Sequence, residues 1–221
     1  MTNSNNTSTQ AELEKDQSFI NVIEGRRSVR KYDNSAVISD EEIREIIAIA
    51  TKAPSSSNLQ PWRFLVVTDA ELKAKLLPIA YNQEQVADSS AVIIVVADLE
   101  MYKHADTIYT SAATAGYLSE ELKDKMIANT TTQYSALPQE RLKEIAVFDS
   151  GLVSMQLMLA ARSKGYDTVP MAGYNRAQVI ELFNLSERYL PTILLPIGKA
   201  ATPGHPTTRL PVDEITFFNR F

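Results

Sequence analysis

The chain has 221 residues, 44% of them apolar and 22% charged, enough for one large domain that buries roughly 70–75% of its unfolded surface without staples. It has no cysteine and only two histidines, His104 and His205, which excludes disulfides, thiolate nucleophiles, iron–sulfur clusters and zinc ribbons and leaves too few imidazoles for a multi-histidine metal site. The net charge of −5, from 22 basic and 27 acidic residues, argues against a nucleic-acid partner.

In chain order, residues 1–17 are rich in Thr, Asn, Ser and Gln, with no apolar core and no early basic cluster. That predicts a flexible polar tail, not a signal peptide. Apolar runs stay short of the ~20 residues a membrane span needs, so no membrane is expected and the plain reading is cytoplasmic. A helix is predicted from Phe19 to Glu24, stopped by Gly25. Ser39 and Glu42 form a capping box for a helix over Ser39 to Ala53, with Ile43, Ile46, Ile47 and Ala50 at helical spacing and Pro54 as its end. Phe64 to Val67, Ala91 to Ala97 and Thr192 to Ile197 read as buried strands. The longest helix is predicted from Pro138 to Lys164, with Gly165 as its stop. Leu152 to Ala161 is apolar on nearly every face, which suits a core or a subunit interface. Asn175, followed by Gln178, is the N-cap of another helix. The tail from Pro211 to Phe221 carries Ile215, Phe217, Phe218 and Phe221, apolar enough to require a surface to dock on. The sum is an α+β domain with a few central strands and many helices.

Three segments carry chemistry. Arg26, Arg27, Ser28 and Arg30 follow the Gly25 stop, so an extended conformation is expected. Alternate side chains then share a face, aligning Arg26, Ser28 and Arg30. Two guanidinium forks and a hydroxyl suit a phosphate monoester; a solvated basic turn is the other reading of the same run. Pro54-Ser55-Ser56-Ser57-Asn58-Leu59-Gln60-Pro61-Trp62 offers uncharged donors and acceptors between prolines, suited to a heteroaromatic edge or a ribityl chain, or to an ordinary connection. Pro170, Met171, Ala172 and Gly173 precede the helix capped by Asn175, where backbone amides lack intrahelical partners. Arg209 lies in an irregular stretch near the C-terminus. No G-x-G-x-x-G, P-loop or G-x-S-x-G motif occurs, so a cofactor phosphate would have to be held by side chains.

Taken together and in this order, R-R-S-x-R-x-Y, P-S-S-S-N-x-Q-P-W, P-M-A-G-Y and R-L-P resemble the nitroreductase family of FMN-dependent NAD(P)H oxidoreductases, over about Phe19 to Phe221. The resemblance implies a single nitroreductase-like domain over 18–221, with a central, mostly antiparallel sheet flanked by helices. It also implies an intertwined homodimer whose C-terminal arm reaches the partner subunit. By the same resemblance Arg26, Arg27, Ser28, Arg30 and Arg209 hold the FMN phosphate. Pro54, Ser55, Ser56 and Asn58 reach the flavin from the second subunit, Asn82 and Gln85 face its pyrimidine edge, and Pro170, Met171, Ala172 and Gly173 bring backbone amides near N5. Ala172 stands where many relatives have glutamate, Thr207 where several have lysine, and Asp149 where some place glutamine. The implied reaction is ping-pong. NADH or NADPH passes hydride from C4 to flavin N5 and leaves; a small-molecule acceptor, a nitroaromatic or quinone, then takes the electrons on the same face. A same-family dehalogenase, enoate reductase or flavin reductase, and a non-catalytic flavin- or phospholigand-binding protein, are the alternative readings.

Overall fold

Four strands build one sheet in the order β1-β2-β4-β3, every pairing antiparallel: β1 (Trp62–Val67), β2 (Ala91–Asp98), β3 (Asp167–Thr168) and β4 (Tyr189–Gly198). The structure is a computed structural model and describes residues 19–221; the polar tail expected at 1–17 lies outside the described residues. Around the sheet lie α1 (Phe19–Gly25), α2 (Asp40–Ala50), α3 (Ala70–Ile79), α4 (Gln85–Asp88), α5 (Ala105–Thr114), α6 (Glu120–Ser135), α7 (Gln139–Ser163), α8 (Arg176–Leu182) and α9 (Val212–Ile215).

Side chains alternate across a strand, and β2 is buried at every position, so both faces of the sheet are covered. Ile93 and Val95 pack with Leu195, Ile197 and the apolar sides of α2 and α7. Val92, Ile94 and Val96 face the other way, onto Leu76, Val86 and Val179 of α3, α4 and α8. A third cluster joins Leu59, Ala97 and Met101 to Tyr109, Tyr134 and Leu142 of α5, α6 and α7. The expected α+β architecture with a helix-flanked antiparallel sheet is what forms.

Several boundaries move. Helix α2 carries the capping box at Ser39 and Glu42, but it ends at Ala50 with Thr51 as C-cap, before Pro54 can act. Strands β1 and β4 begin earlier than their apolar runs, because ladder pairing extends to Trp62 opposite Ala97 and to Tyr189 opposite Asp98. Asn175 caps α8 by accepting from the Gln178 amide, as its spacing predicts. By length and composition α7 could cross a membrane, which the short apolar runs did not suggest. Half of its most apolar window is buried, with Val153, Leu157 and Ala161 in the core.

Candidate functional site

The arginine segment leaves α1 with one more helical bond, Arg26 N donating to the Val22 carbonyl at 3.1 Å, and then extends. Ser28 forms a parallel bridge to Thr168, and Val29, 1% exposed, plugs the core. Ser28 and Arg30 therefore project to the side opposite Val29. Arg26 is half-buried, and its Nη1 is a buried atom without a hydrogen-bond partner. Burial first, then the charges of Arg209 and Arg27, hold its pKa below the usual arginine value. Both Arg209 and Arg27 thus crowd Arg26, and no acid is among the charges that shift it, a condition an anion relieves.

Three further segments converge here. A Cβ on Gly204 would stand 2.5 Å from Arg27 Cβ and 3.1 Å from the Ser28 carbonyl, so the C-terminal stretch lies directly on the arginine segment. Downstream, Arg209 Nη1 donates to Thr207 Oγ1 and to the Thr208 carbonyl, each at 2.7 Å. Thr207 thus orients a cation and supplies none of its own. Lys31 pairs with Glu84, which brings in the loop before α4. There Tyr81 and Asn82 are left-handed (φ 55 and 54), and Asn82 is exposed while Gln85 is buried. Gln85 Nε2 donates to Gln83 Oε1 at 3.2 Å, and Gln83 Nε2 donates to the Gly173 carbonyl at 2.8 Å. Gln83, which the sequence did not single out, thereby links the two loops; one more amide in a polar stretch gave no signal. Pro170 is half-buried and Met171 buried, bridged to Leu194, while Ala172 and Gly173 are exposed.

The fifth segment goes elsewhere. Pro54 is exposed and Ser55 half-buried; Ser55 Oγ accepts from the Gln60 amide at 3.0 Å. Ser56 donates through its amide and hydroxyl to Asp149, at 3.0 and 3.2 Å. Ser57 Oγ pairs with the Tyr134 hydroxyl, and Tyr109 OH donates to the Ser57 carbonyl at 2.8 Å. Asn58 is exposed, with φ 54. The loop is thus anchored on α5, α6 and α7, whereas the other four segments meet around Arg26, Gly204 and Gln83.

His104 sits among Arg63, Asp98 and Arg188, a structural setting; His205 is exposed. Among the described residues no His, Asp and Glu group could hold a metal ion.

The sequence model of the Nitroreductase family matches residues 23–199. YdgI of Bacillus subtilis (strain 168), provisionally named an NAD(P)H nitroreductase, is 49% identical over 203 residues, which span 91% of this chain and 97% of that protein. The CLA biosynthesis enone reductase of Lactiplantibacillus plantarum is 32% identical over 200 residues, 89% of this chain and 92% of the reductase. A crystal structure from Exiguobacterium sibiricum 255-15, of a provisionally assigned nitroreductase in complex with FMN, superposes with a TM-score of 0.89 at 45% identity. It covers 92% of this chain and 98% of that one.

Proposed function

The chain belongs to the nitroreductase family, and we propose that it is an FMN-dependent NAD(P)H oxidoreductase acting on nitroaromatic, quinone or related acceptors. The observation that carries the reading is the buried, unpartnered Arg26 Nη1 beside Arg209. A half-buried guanidinium beside an exposed one, with no acid among the charges that shift Arg26, fits a phosphate monoester, and the FMN complex of the Exiguobacterium relative supports the identity of that monoester. In this reading Arg26, Arg27, Ser28, Arg30 and Arg209 hold the phosphate, Asn82 and Gln85 lie toward the pyrimidine edge, and Pro170, Met171, Ala172 and Gly173 present backbone near N5. When bound, FMN supplies a site that takes hydride from NADH or NADPH and returns it to the acceptor in a second, separate half-reaction. The chain's own part is placement and electrostatics, with no nucleophile or general acid.

A second copy completes the site. The loop of Pro54, Ser55, Ser56 and Asn58 is anchored away from the other four segments, so we assign this loop as a whole to the partner's flavin in a homodimer. Likeness to the enone reductase favours activated alkenes as a second acceptor class.

The test is a purified preparation titrated with FMN. We expect yellow protein with about one FMN per chain, bleached by NADH or NADPH, and parallel double-reciprocal lines when the pyridine nucleotide is varied at several acceptor concentrations. Arg30→Ala and Arg209→Ala each remove a charge-assisted contact of ~1.5–3 kcal/mol, or roughly tenfold to a hundredfold in FMN affinity. Colourless protein that ignores added FMN refutes the reading, and intersecting lines refute ping-pong turnover.

A further inference from the structure

Asp149 on α7 is 1% exposed, and the proposed chemistry gives it no role. Its two oxygens take the amide and the hydroxyl of Ser56. Burial pushes the carboxyl above its usual range, and the two Ser56 donors offset only part of that rise. The geometry is that of a clamp that fixes both the position and the rotation of one residue.

The clamped residue opens a costly piece of backbone. Ser57, Asn58 and Gln60 are non-glycine residues at φ 50, 54 and 47, a region that L side chains avoid and that persists only where the surroundings enforce it. Internal bonds, Asn58 N to the Ser55 carbonyl and Leu59 N to the Ser56 carbonyl, close the turn without setting its place on the molecule. Placement comes from Asp149 at Ser56, from Tyr134 and Tyr109 at Ser57, and from buried Leu59. With both Ser56 donors turned inward, Asn58 is exposed, and Ser55, half-buried, uses its hydroxyl oxygen to accept from the Gln60 amide and keeps its own proton to donate.

We propose that Asp149 is a positioning residue that holds the Pro54–Asn58 loop so that Ser55 and Asn58 meet the FMN of the second copy, with Ser56 as the foothold and not a flavin contact. This rests on the flavin reading above.

The experiment titrates FMN into apo wild type, Asp149→Leu, Asp149→Asn and Arg209→Ala, followed by flavin fluorescence, with thermal melts of each. It adds amide hydrogen exchange of the wild type. Leucine keeps the branched shape, with bulkier methyl groups, but accepts no hydrogen bond; asparagine can still accept from the Ser56 amide and donate to its hydroxyl. We expect Asp149→Leu to lose about tenfold to a hundredfold in FMN affinity and to recover kcat within threefold at saturating FMN. Asp149→Asn should bind within about threefold of wild type, and the Ser56 amide should exchange slowly. Wild-type affinity in Asp149→Leu overturns the proposal, as does equal loss in the leucine and asparagine variants. If Asp149→Leu does not fold, Asp149→Asn and the exchange decide: weak binding by the asparagine variant, or an unprotected Ser56 amide, overturns it. Wild type that binds no FMN refutes the flavin reading itself. Weakened Arg209→Ala beside unaffected Asp149→Leu leaves that reading standing and removes only the clamp.

Discussion

Asp98 ends β2 with a side chain that has no exposure, yet it is fully partnered. Arg188 donates through Nε at 2.6 Å and Nη2 at 2.7 Å, Arg63 Nη2 at 2.8 Å, and the Glu100 amide at 3.0 Å. Burial alone would raise its carboxyl; the Arg188 hydrogen bonds, the Glu100 amide and the two arginine charges more than offset that and hold it below the usual range. A depressed folded pKa means the contribution is complete above the unfolded value of ~3.9 and is lost as pH falls through the lower folded one. Removing one partner of a buried ionic group costs about 3–5 kcal/mol. For a chain of this size that is a Tm lower by roughly 6–20 °C. Asp98→Asn should therefore melt that much earlier at pH 7, with a smaller gap from wild type at pH 3; equal melting temperatures at pH 7 contradict it. His104 Nε2 lies 2.6 Å from Arg63 Nη2, 3.0 Å from Arg188 Nη2 and 3.2 Å from Asp98 Oδ2, so it is packed into this ionic cluster. His104→Ala should lower kcat less than tenfold, short of the ~10²–10⁴ of a general acid or base; a thousandfold loss would reveal catalysis there.

Among the elements, those with a strong local signal were legible. Ser39 and Glu42 announce α2, and both arms of the box form; Pro138 and Gly165 bracket α7. Glu42 is held down to about 2 by the Tyr166 hydroxyl and then by Ser39, so its support is complete above the usual glutamate pKa and fades as pH falls toward 2. Ser39→Ala should cost about 0.5–2 kcal/mol at neutral pH, read as a lower melting temperature; an unchanged one means the cap is idle. Less was legible where tertiary contacts decide. The two-residue β3 exists only through pairing with Gly198 and Ile197. Helix α6 carries four Thr and Asn residues in succession, Asn129 to Thr132, which blur its apolar stripe. At the site, the arginine run and the Ser-rich loop were visible as composition. That the loop turns away from the arginines was not, because the anchors Tyr109, Tyr134 and Asp149 lie about 50 to 90 residues further along the chain.

At the scale of the whole molecule, one copy leaves too much apolar surface uncovered. Phe19, Val22, Ile49, Pro54, Leu152 and Met155 line a groove of about 650 Å³ along α1, α2 and α7, and Phe148 is 66% exposed. A second groove, of about 830 Å³, runs between α2 and the free edge of β1, past Ile43, Ile47, Trp62, Phe64 and Val66. The C-terminal arm supplies matching surface: Leu210, Val212, Ile215, Phe217, Phe218 and Phe221 are all at least half exposed. An unpaired edge strand invites another chain, and an arm that covers it on a partner removes both liabilities at once. We therefore expect a homodimer burying more than roughly 2,000 Å² in total, with the arm of each copy on the other. Deleting residues 212–221 separates this from phosphate binding, because Arg209 and the segments around it stay in place. The shortened protein should sediment increasingly as monomer at micromolar concentration and bind FMN more weakly, since its flavin would lose the partner's Pro54–Asn58 loop. A truncated chain that stays dimeric and keeps its FMN affinity would show that the arm does not hold the copies together; a stable, FMN-loaded monomer of the full chain would show that one copy makes the whole site.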